Sequence, residues 1–99
     1  MSYELVFKKT ALKEWRKLGA TIQFHFKKKL QKILVVPHIT SAKLTGANNL
    51  YKIKLRQSGY RLVYDVNDRM VTVTVVAIGK RERSAVYKKA LERISEEKP

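Results

Sequence analysis

The strongest constraint on the fold of this chain is the alternation of side chains between residues 51 and 66. Ile53 and Leu55 alternate there with Lys52 and Lys54. Successive side chains of a β-strand point to opposite faces of the sheet, so the segment is predicted to be a strand with one apolar and one cationic face. The segment that follows has the same period, with this core-facing set: Tyr60, Leu62, Tyr64 and Val66.

The short connections between the strands predict an antiparallel meander, because a parallel crossover needs a dozen or more residues. Ile53 and Leu55 share the core face with Tyr60 and Leu62 only if Leu55 pairs with Tyr60. This register makes residues 56–59 a four-residue loop and places Lys54 directly opposite Arg61 on the cationic face.

A two-residue turn at Asn67–Asp68 is predicted to join the second strand of the meander to the third. It would pair Tyr64 with Val71 and Leu62 with Val73. The same register puts three polar side chains on one face: Arg61, Thr72 and Thr74.

The remaining segments predict helices and one more strand. Ser2–Phe7 alternates and is predicted to be an N-terminal strand. Residues 9–35 are predicted to form a helical hairpin, whose first helix spans Lys8–Leu18 with Thr10 as a possible cap and Gly19 as its stop. Thr21 would cap the second helix, and Pro37 would end it.

A loop and a last helix complete the predicted fold. Residues 37–49 are predicted to be a loop with a helical turn near residues 41–44, and Ser84 would cap the last helix. The apolar stripe of that last helix is Val86, Ala90, Leu91 and Ile94. The prediction is a single α+β domain over residues 1–99, with the N-terminal strand and the meander forming a four-stranded sheet.

The charge of the chain indicates its partners. Twenty-two Lys and Arg against eight Asp and Glu give a net charge of +14, which favours binding to RNA or DNA, with a membrane surface as the rival. The longest apolar run is too short to span a bilayer, and the N-terminus lacks the apolar core of a signal peptide. The chain has no cysteine, so disulfides and thiolate metal sites are excluded. A cytoplasmic protein is therefore expected.

Several kinds of active site find no support in the residues. His25 and His38 have no partner histidine at ligand spacing, and both are predicted to be ordinary surface side chains. The eight carboxylates form no acidic cluster suited to two metal ions, and there is no glycine-rich phosphate loop. An enzyme built on this chain would use neither a metal centre nor a histidine, and no cofactor is expected.

The cationic sheet face is the remaining candidate site, with Lys52, Lys54 and Arg61 on the strands. Like charges opposite each other destabilise a sheet, and a bound phosphate would offset that cost. A solvated basic face is an equally good interpretation of the pattern alone. Cleavage of RNA through its own 2′-hydroxyl needs a base, an acid and charge stabilisation, which lysine, arginine and tyrosine can supply.

The chain resembles the RelE family of toxin–antitoxin ribonucleases. The segments that carry the resemblance are Ala11–Gly19, Tyr51–Arg56, Ser58–Tyr64 and Gly79–Ser84, followed by Val86–Tyr87. The resemblance implies a microbial-ribonuclease-like fold and ribosome-dependent cleavage of mRNA in the A site, which inhibits translation. It also implies that the catalytic residues are Lys52, Lys54, Arg61, Arg81 and Tyr87. Lys52 and Lys54 would activate the 2′-hydroxyl, Arg61 would hold the phosphate, Arg81 would assist the leaving oxygen, and Tyr87 would orient a nucleotide.

The resemblance further implies the partners. Contacts with RNA and the ribosome, including 16S rRNA, are expected at Lys27, Lys28, Lys29, Lys32, Lys43, Arg56, Lys80 and Arg83. Each of the helix lysines could equally belong to a solvated face. Thr45 stands where the family commonly has a basic residue. A RelB-type antitoxin would mask the basic face and displace the last helix, and the pair would bind operator DNA through the antitoxin. Val63, Val76 and Ile78 could help to dock it or could form a second core layer.

Two other functions fit parts of the pattern. A ParE-like toxin of the same fold would bind another target without cleaving RNA, although the resemblance implies that such relatives lack the combined basic and tyrosine set. A non-enzymatic RNA-binding protein would need only the charge.

Overall fold

The computed structural model describes residues 2–44, 46–80 and 85–96. The strands are β1 (Glu4–Phe7), β2 (Leu50–Leu55), β3 (Tyr60–Asn67) and β4 (Thr72–Lys80). The helices are α1 (Lys9–Arg16), α2 (Ala20–Ile33) and α3 (Ala85–Glu96), with a 3₁₀ turn at Thr40–Ala42. The predicted α+β fold, with its helical hairpin, meander and last helix, is confirmed.

The four strands form one sheet in the order β1-β4-β3-β2. β1 lies at one edge and runs parallel to β4, whereas β2, β3 and β4 are antiparallel neighbours. Leu55 pairs with Tyr60 and Lys54 pairs with Arg61, as the alternating pattern predicts. The register that creates the cationic pair is therefore confirmed.

The predicted register between β3 and β4 is wrong. Asn67 pairs with Thr72, so the loop has four residues instead of two. The Asn67 side chain accepts a hydrogen bond from the Met70 N–H at 3.0 Å, and Val71 adopts a positive φ of 52°. A two-residue hairpin turn of type I′ needs a positive φ at both central residues, which Asn-Asp provides less readily than Asn-Gly. Thr72 still shares a face with Arg61, because the error in register is an even number of residues.

A β-bulge interrupts the β3–β4 ladder next to Val63. Tyr64 pairs with Val75, yet the preceding residue, Val63, pairs with Ala77, so Val76 is the extra residue. The bulge puts Val76 and Ile78 on opposite faces of the sheet. The grouping of Ile78 with Val63 and Val76 is therefore wrong, because strict alternation does not hold across a bulge.

The side-chain caps predicted for the first two helices are also wrong. Lys8 and Gly19 occupy the N-cap positions of α1 and α2, and neither makes a side-chain capping bond. Thr10 lies inside α1 and Thr21 inside α2. Gly19 begins the second helix instead of stopping the first, which ends at Arg16. Thr45, Arg81, Arg83 and the predicted cap Ser84 lie outside the described residues.

The sheet separates two apolar clusters. On the first face α1 and α2 cover the predicted core set, with these buried helix residues: Ala11, Phe26, Leu30 and Ile33. On the second face α3 buries Val86 and Ala90 against Val63 and Val76. The second core layer, one of the two alternatives for Val63 and Val76, is the arrangement observed. Within the described ranges, no helix combines the length and the apolar character needed to cross a membrane.

Candidate active site

The predicted basic residues of the sheet meet on its second face, at the end where β2 leads into β3. Lys52 and Lys54 come from β2, and Arg61 comes from β3 directly opposite Lys54. Lys54 is exposed, whereas Lys52 and Arg61 are half-buried. A ligand can therefore reach this face of the sheet at Lys54, whereas the part of the face nearer to α3 is more deeply covered.

Tyr87, in the first turn of α3, brings two of these cations together. Its Oη accepts a hydrogen bond of 2.8 Å from Arg61 Nη1. Lys52 Nζ lies 5.5 Å from the centre of the phenol ring, and Arg61 Cζ lies 5.6 Å from it. Cation–π contacts at such distances contribute about 0.5–1 kcal/mol each at exposed sites. The Tyr87 ring therefore contacts both Lys52 and Arg61 and holds these two like charges close together.

A carboxylate on the other side of the sheet holds α3 in place. Glu14 of α1 accepts hydrogen bonds from Arg93 Nη1 at 2.8 Å and from Lys89 Nζ at 2.7 Å, both on α3. Burial raises the pKa of Glu14, but the hydrogen bonds from Arg93, Lys89 and the Ile78 N–H outweigh it, and the pKa is lowered overall. Because α1 and α3 cover opposite faces, this ion pair links the two layers around the sheet edge.

Glu14 and Arg93 also hydrogen-bond the backbone of β4 beyond the point where β1 ends. β1 ends at Phe7, which pairs with Val75, but β4 continues to Lys80. Beyond β1, Glu14 Oε1 accepts the Ile78 N–H at 3.1 Å and Arg93 Nη1 donates to the Val76 carbonyl at 2.7 Å. The sequence did not predict this clamp, in which Glu14 of α1 binds Lys89 and Arg93 of α3. The only local signal was the spacing of Lys89 and Arg93, four residues apart on one helix face.

The residues predicted to contact RNA separate into groups. Lys28, Lys29 and Arg56 line a cleft that also includes Lys54. Lys27 lines a different cleft, beside Leu5 and Trp15. Three other described members of the set are exposed outside these clefts. Two of them lie near the meander: Lys43, whose backbone bridges to Tyr51, and Lys80, whose Nζ lies 5.6 Å from the Tyr60 ring centre. Lys32 is exposed near the end of α2.

Both histidines are exposed, as predicted, but His38 also joins a hydrogen-bonded network. Its Nδ1 lies 2.8 Å from Tyr51 Oη, and its Nε2 lies 2.8 Å from Asp68 Oδ1. Tyr3 Oη donates to the same oxygen of Asp68 at 2.7 Å. Hydrogen bonds from His38 and Tyr3 lower the pKa of Asp68. The network ties the loop after α2 to the β3–β4 loop, at the far end of β3 from Arg61.

Acidic and histidine side chains do not gather elsewhere in the part of the chain that the structure describes. No group there of three or more His, Cys, Asp or Glu side chains could hold a metal ion. The described side chains that meet around Tyr87 on the second face are those of lysine, arginine and tyrosine.

Comparison with known proteins gives the chain its family. Residues 5–85 match the family model described as the ParE toxin of type II toxin–antitoxin systems, parDE. The mRNA interferase toxin RelE of Escherichia coli (strain K12) is 56% identical over 94 residues, covering 95% of this chain and 99% of the relative. The chain belongs to the RelE/ParE family of toxins. The resemblance predicted from the sequence is confirmed.

Solved structures of the RelE/ParE family agree with this fold. A free double arginine-to-alanine variant of E. coli RelE superposes with a TM-score of 0.87 at 54% identity, covering 95% of this chain and 99% of that one. The toxin of the intact E. coli RelBE toxin–antitoxin complex superposes with a TM-score of 0.80 at 55% identity. That match covers 83% of this chain and all of the other.

Proposed function

We propose that this chain is the toxin of a type II toxin–antitoxin system and an endoribonuclease that cleaves messenger RNA in the ribosomal A site. The observation that carries the proposal is the convergence of Lys52 and Arg61 on Tyr87, beside Lys54. Three cations on one face of the sheet, accessible at Lys54, match a phosphodiester that gains negative charge in its transition state. The near-full-length likeness to E. coli RelE supports the same activity.

The proposed reaction transfers the phosphodiester within the RNA strand. The 2′-hydroxyl loses its proton to a lysine and attacks the adjacent phosphorus, and the bond to the 5′-oxygen breaks. The 5′-oxygen takes up a proton, leaving a 2′,3′-cyclic phosphate and a 5′-hydroxyl. Lys52 and Lys54 activate the nucleophile in this scheme, and Arg81, outside the described residues, protonates or stabilises the leaving oxygen. Protons shared among coupled cations belong to the group and not to one residue.

Arg61 and Tyr87 bind the substrate in this proposal. One Nη1–H of Arg61 bonds Tyr87, while the guanidinium has further N–H donors that suit two phosphate oxygens. The Tyr87 ring orients a nucleotide by stacking. Lysine, arginine and tyrosine thereby supply proton transfer and charge stabilisation without metal ligands.

The same proposal includes the partners. A RelB-type antitoxin neutralises the toxin, and operator DNA is bound through the antitoxin of the complex, with repression of the operon as the result. Solved complexes of related toxins with RelB antitoxins and the net charge of +14 support an acidic partner. The toxin acts in the cytoplasm on the ribosome, where 16S rRNA contacts its basic surface.

The experiment that tests the proposal is induction of the chain in a bacterial host, followed by mapping of message 3′ ends. Wild type is expected to produce cuts in phase with codons and to arrest growth. Lys52→Ala combined with Lys54→Ala should abolish both while leaving the fold intact. Lys9→Ala combined with Lys13→Ala removes the same charge from α1 and should leave cleavage unchanged. Full cleavage by a folded Lys52/Lys54 variant would contradict the proposal.

The second candidate is a toxin of the same family that does not cleave RNA. The description of the matching family model as a ParE toxin favours it. Growth arrest without codon-phased cuts would decide for this candidate. RNA binding that falls steeply with salt, without any toxicity, would instead indicate a non-enzymatic RNA-binding protein.

A further inference from the structure

A cleft lined by the proposed catalytic residue Lys54 lies between α2 and the β2–β3 loop. Its volume is about 690 Å³, within the range of about 300–1,000 Å³ typical of ligand sites. One wall is α2, with Ile22, His25, Lys28 and Lys29, and the other is the end of β2 and the loop after it, with Lys54 and Arg56. Lys54 lines the cleft and also belongs to the proposed active site, so the cleft lies beside that site at the β2 edge of the sheet.

The charge of the cleft has one sign. Four lysine and arginine side chains line it, and the described lining residues include no aspartate or glutamate. Lys28 and Lys29 follow His25 by three and four residues, which places all three on one face of α2. Arg56 belongs to the β2–β3 loop, and the lining also includes the apolar residues Ile22 and Leu55. Cations beside apolar side chains suit a polyanion whose uncharged parts are flat and apolar.

We propose that this cleft binds single-stranded RNA, namely the nucleotides of the message next to the scissile phosphate on the Lys54 side. Lys28, Lys29 and Arg56 bind successive phosphates, and the exposed His25 ring stacks on a base. A cleft of this volume admits one or two nucleotides. The inference rests on the proposed ribonuclease function, because that function is what makes Lys54 a neighbour of the scissile bond.

A binding experiment tests the cleft separately from cleavage. Fluorescence anisotropy measures the affinity of the full chain for 2′-O-methyl oligonucleotides of two and six nucleotides, which have no 2′-hydroxyl to react. Lys28→Ala combined with Lys29→Ala should weaken binding of the six-nucleotide strand about tenfold or more and lower the salt slope by about 1.4, or 0.7 for each lost phosphate contact. Binding of the dinucleotide should change less, because its single phosphate can contact only one of the two lysines.

The control removes the same charge from helix α1, outside the cleft. Lys9→Ala combined with Lys13→Ala, two exposed residues with no assigned RNA contact, should have at most a small effect on the six-nucleotide strand. His25→Ala should weaken binding of that strand about fivefold or more and leave the salt slope unchanged, because the ring acts by stacking. Equal losses in the two lysine variants overturn the inference, because only non-specific attraction would remain. Tighter binding of a duplex through Lys28 and Lys29 also overturns it.

The outcomes separate this inference from the proposed function. If wild type cuts message but the Lys28/Lys29 variant and its control variant bind the six-nucleotide strand equally well, the proposed RNA-binding cleft is refuted and the ribonuclease function is not. If wild type makes no cuts but the Lys28/Lys29 variant selectively loses the longer strand, the function fails and the RNA-binding cleft stands.

Discussion

Replacing Glu14 by glutamine tests how the site is held together. The Glu14 side chain is 20% exposed, Arg93 is 18% exposed and Lys89 is 41% exposed. Glutamine keeps an acceptor for the Ile78 N–H but loses the negative charge that binds both cations. A hydrogen bond to a charged, largely buried group contributes about 1.5–3 kcal/mol, whereas an exposed ion pair contributes less than about 1 kcal/mol. Glu14→Gln should therefore lower the free energy of unfolding by about 2–3 kcal/mol at pH 7.

The pH dependence of this loss follows from the lowered pKa of Glu14. A carboxyl whose pKa is lower in the folded state stabilises the protein above its unfolded pKa, near 4.5, and loses that contribution as the pH falls through the folded value. The difference between wild type and Glu14→Gln should thus be constant above about pH 5.5 and shrink below pH 4.5. Burial raises the pKa of Asp65, which gives the opposite pH dependence, but Asp65 is common to both proteins and cancels in the difference.

Urea unfolding followed by the fluorescence of Trp15 measures the effect. Trp15 is the only tryptophan of the chain, and its ring lies 5.3 Å from Phe7 and 6.3 Å from Phe26, centre to centre. Glu92→Gln, an exposed change on α3, is the control and should alter the unfolding free energy by less than about 0.5 kcal/mol. A Glu14→Gln loss below that level, or one equally large at pH 3, would refute the role of the clamp. Because α3 carries Tyr87, message cleavage should fall with the loss of stability.

Three further changes test packing, contact and backbone. An added Cβ at Gly79 would lie 2.9 Å from Val86 Cγ2, so Gly79→Ala should cost about 1–3 kcal/mol in urea unfolding by pushing α3 from the sheet; an unchanged midpoint would contradict this packing. Tyr87→Phe keeps the ring but removes the acceptor of Arg61, so message cleavage should fall less than in Tyr87→Ala, and equal losses would assign the role to the hydroxyl alone. Val71→Asn should raise the unfolding free energy by about 1 kcal/mol, because asparagine tolerates a positive φ better than valine. A variant with an unfolding free energy no higher than that of wild type would exclude backbone strain at this position.

The segment from residue 51 to 66 shows how much of the strand register can be predicted from local alternation. It predicted the pairing of Lys54 with Arg61, because one face must be apolar and the loop from residue 56 to 59 leaves a single register that satisfies both strands. The same reasoning was wrong at the β3–β4 loop. Registers that differ by an even number of residues bury the same set of side chains, so the hydrophobic pattern cannot choose between them. The loop geometry at Val71 and the bulge at Val76 decide which register forms.

The amino-acid sequence by itself determined the elements, the two faces of the sheet and the concentration of cations on one of them, since these depend on periods of two and 3.6 residues. It also identified Lys52, Lys54, Arg61 and Tyr87 as candidates. Only the tertiary structure showed that Tyr87 contacts Arg61 and that Glu14 reaches Arg93, 79 residues away. Such contacts depend on how helices from opposite layers meet at the edge of β4, and no period within the chain encodes that meeting. The cleft between α2 and the β2–β3 loop exists for the same reason, because its two walls are distant in sequence and adjacent only after packing.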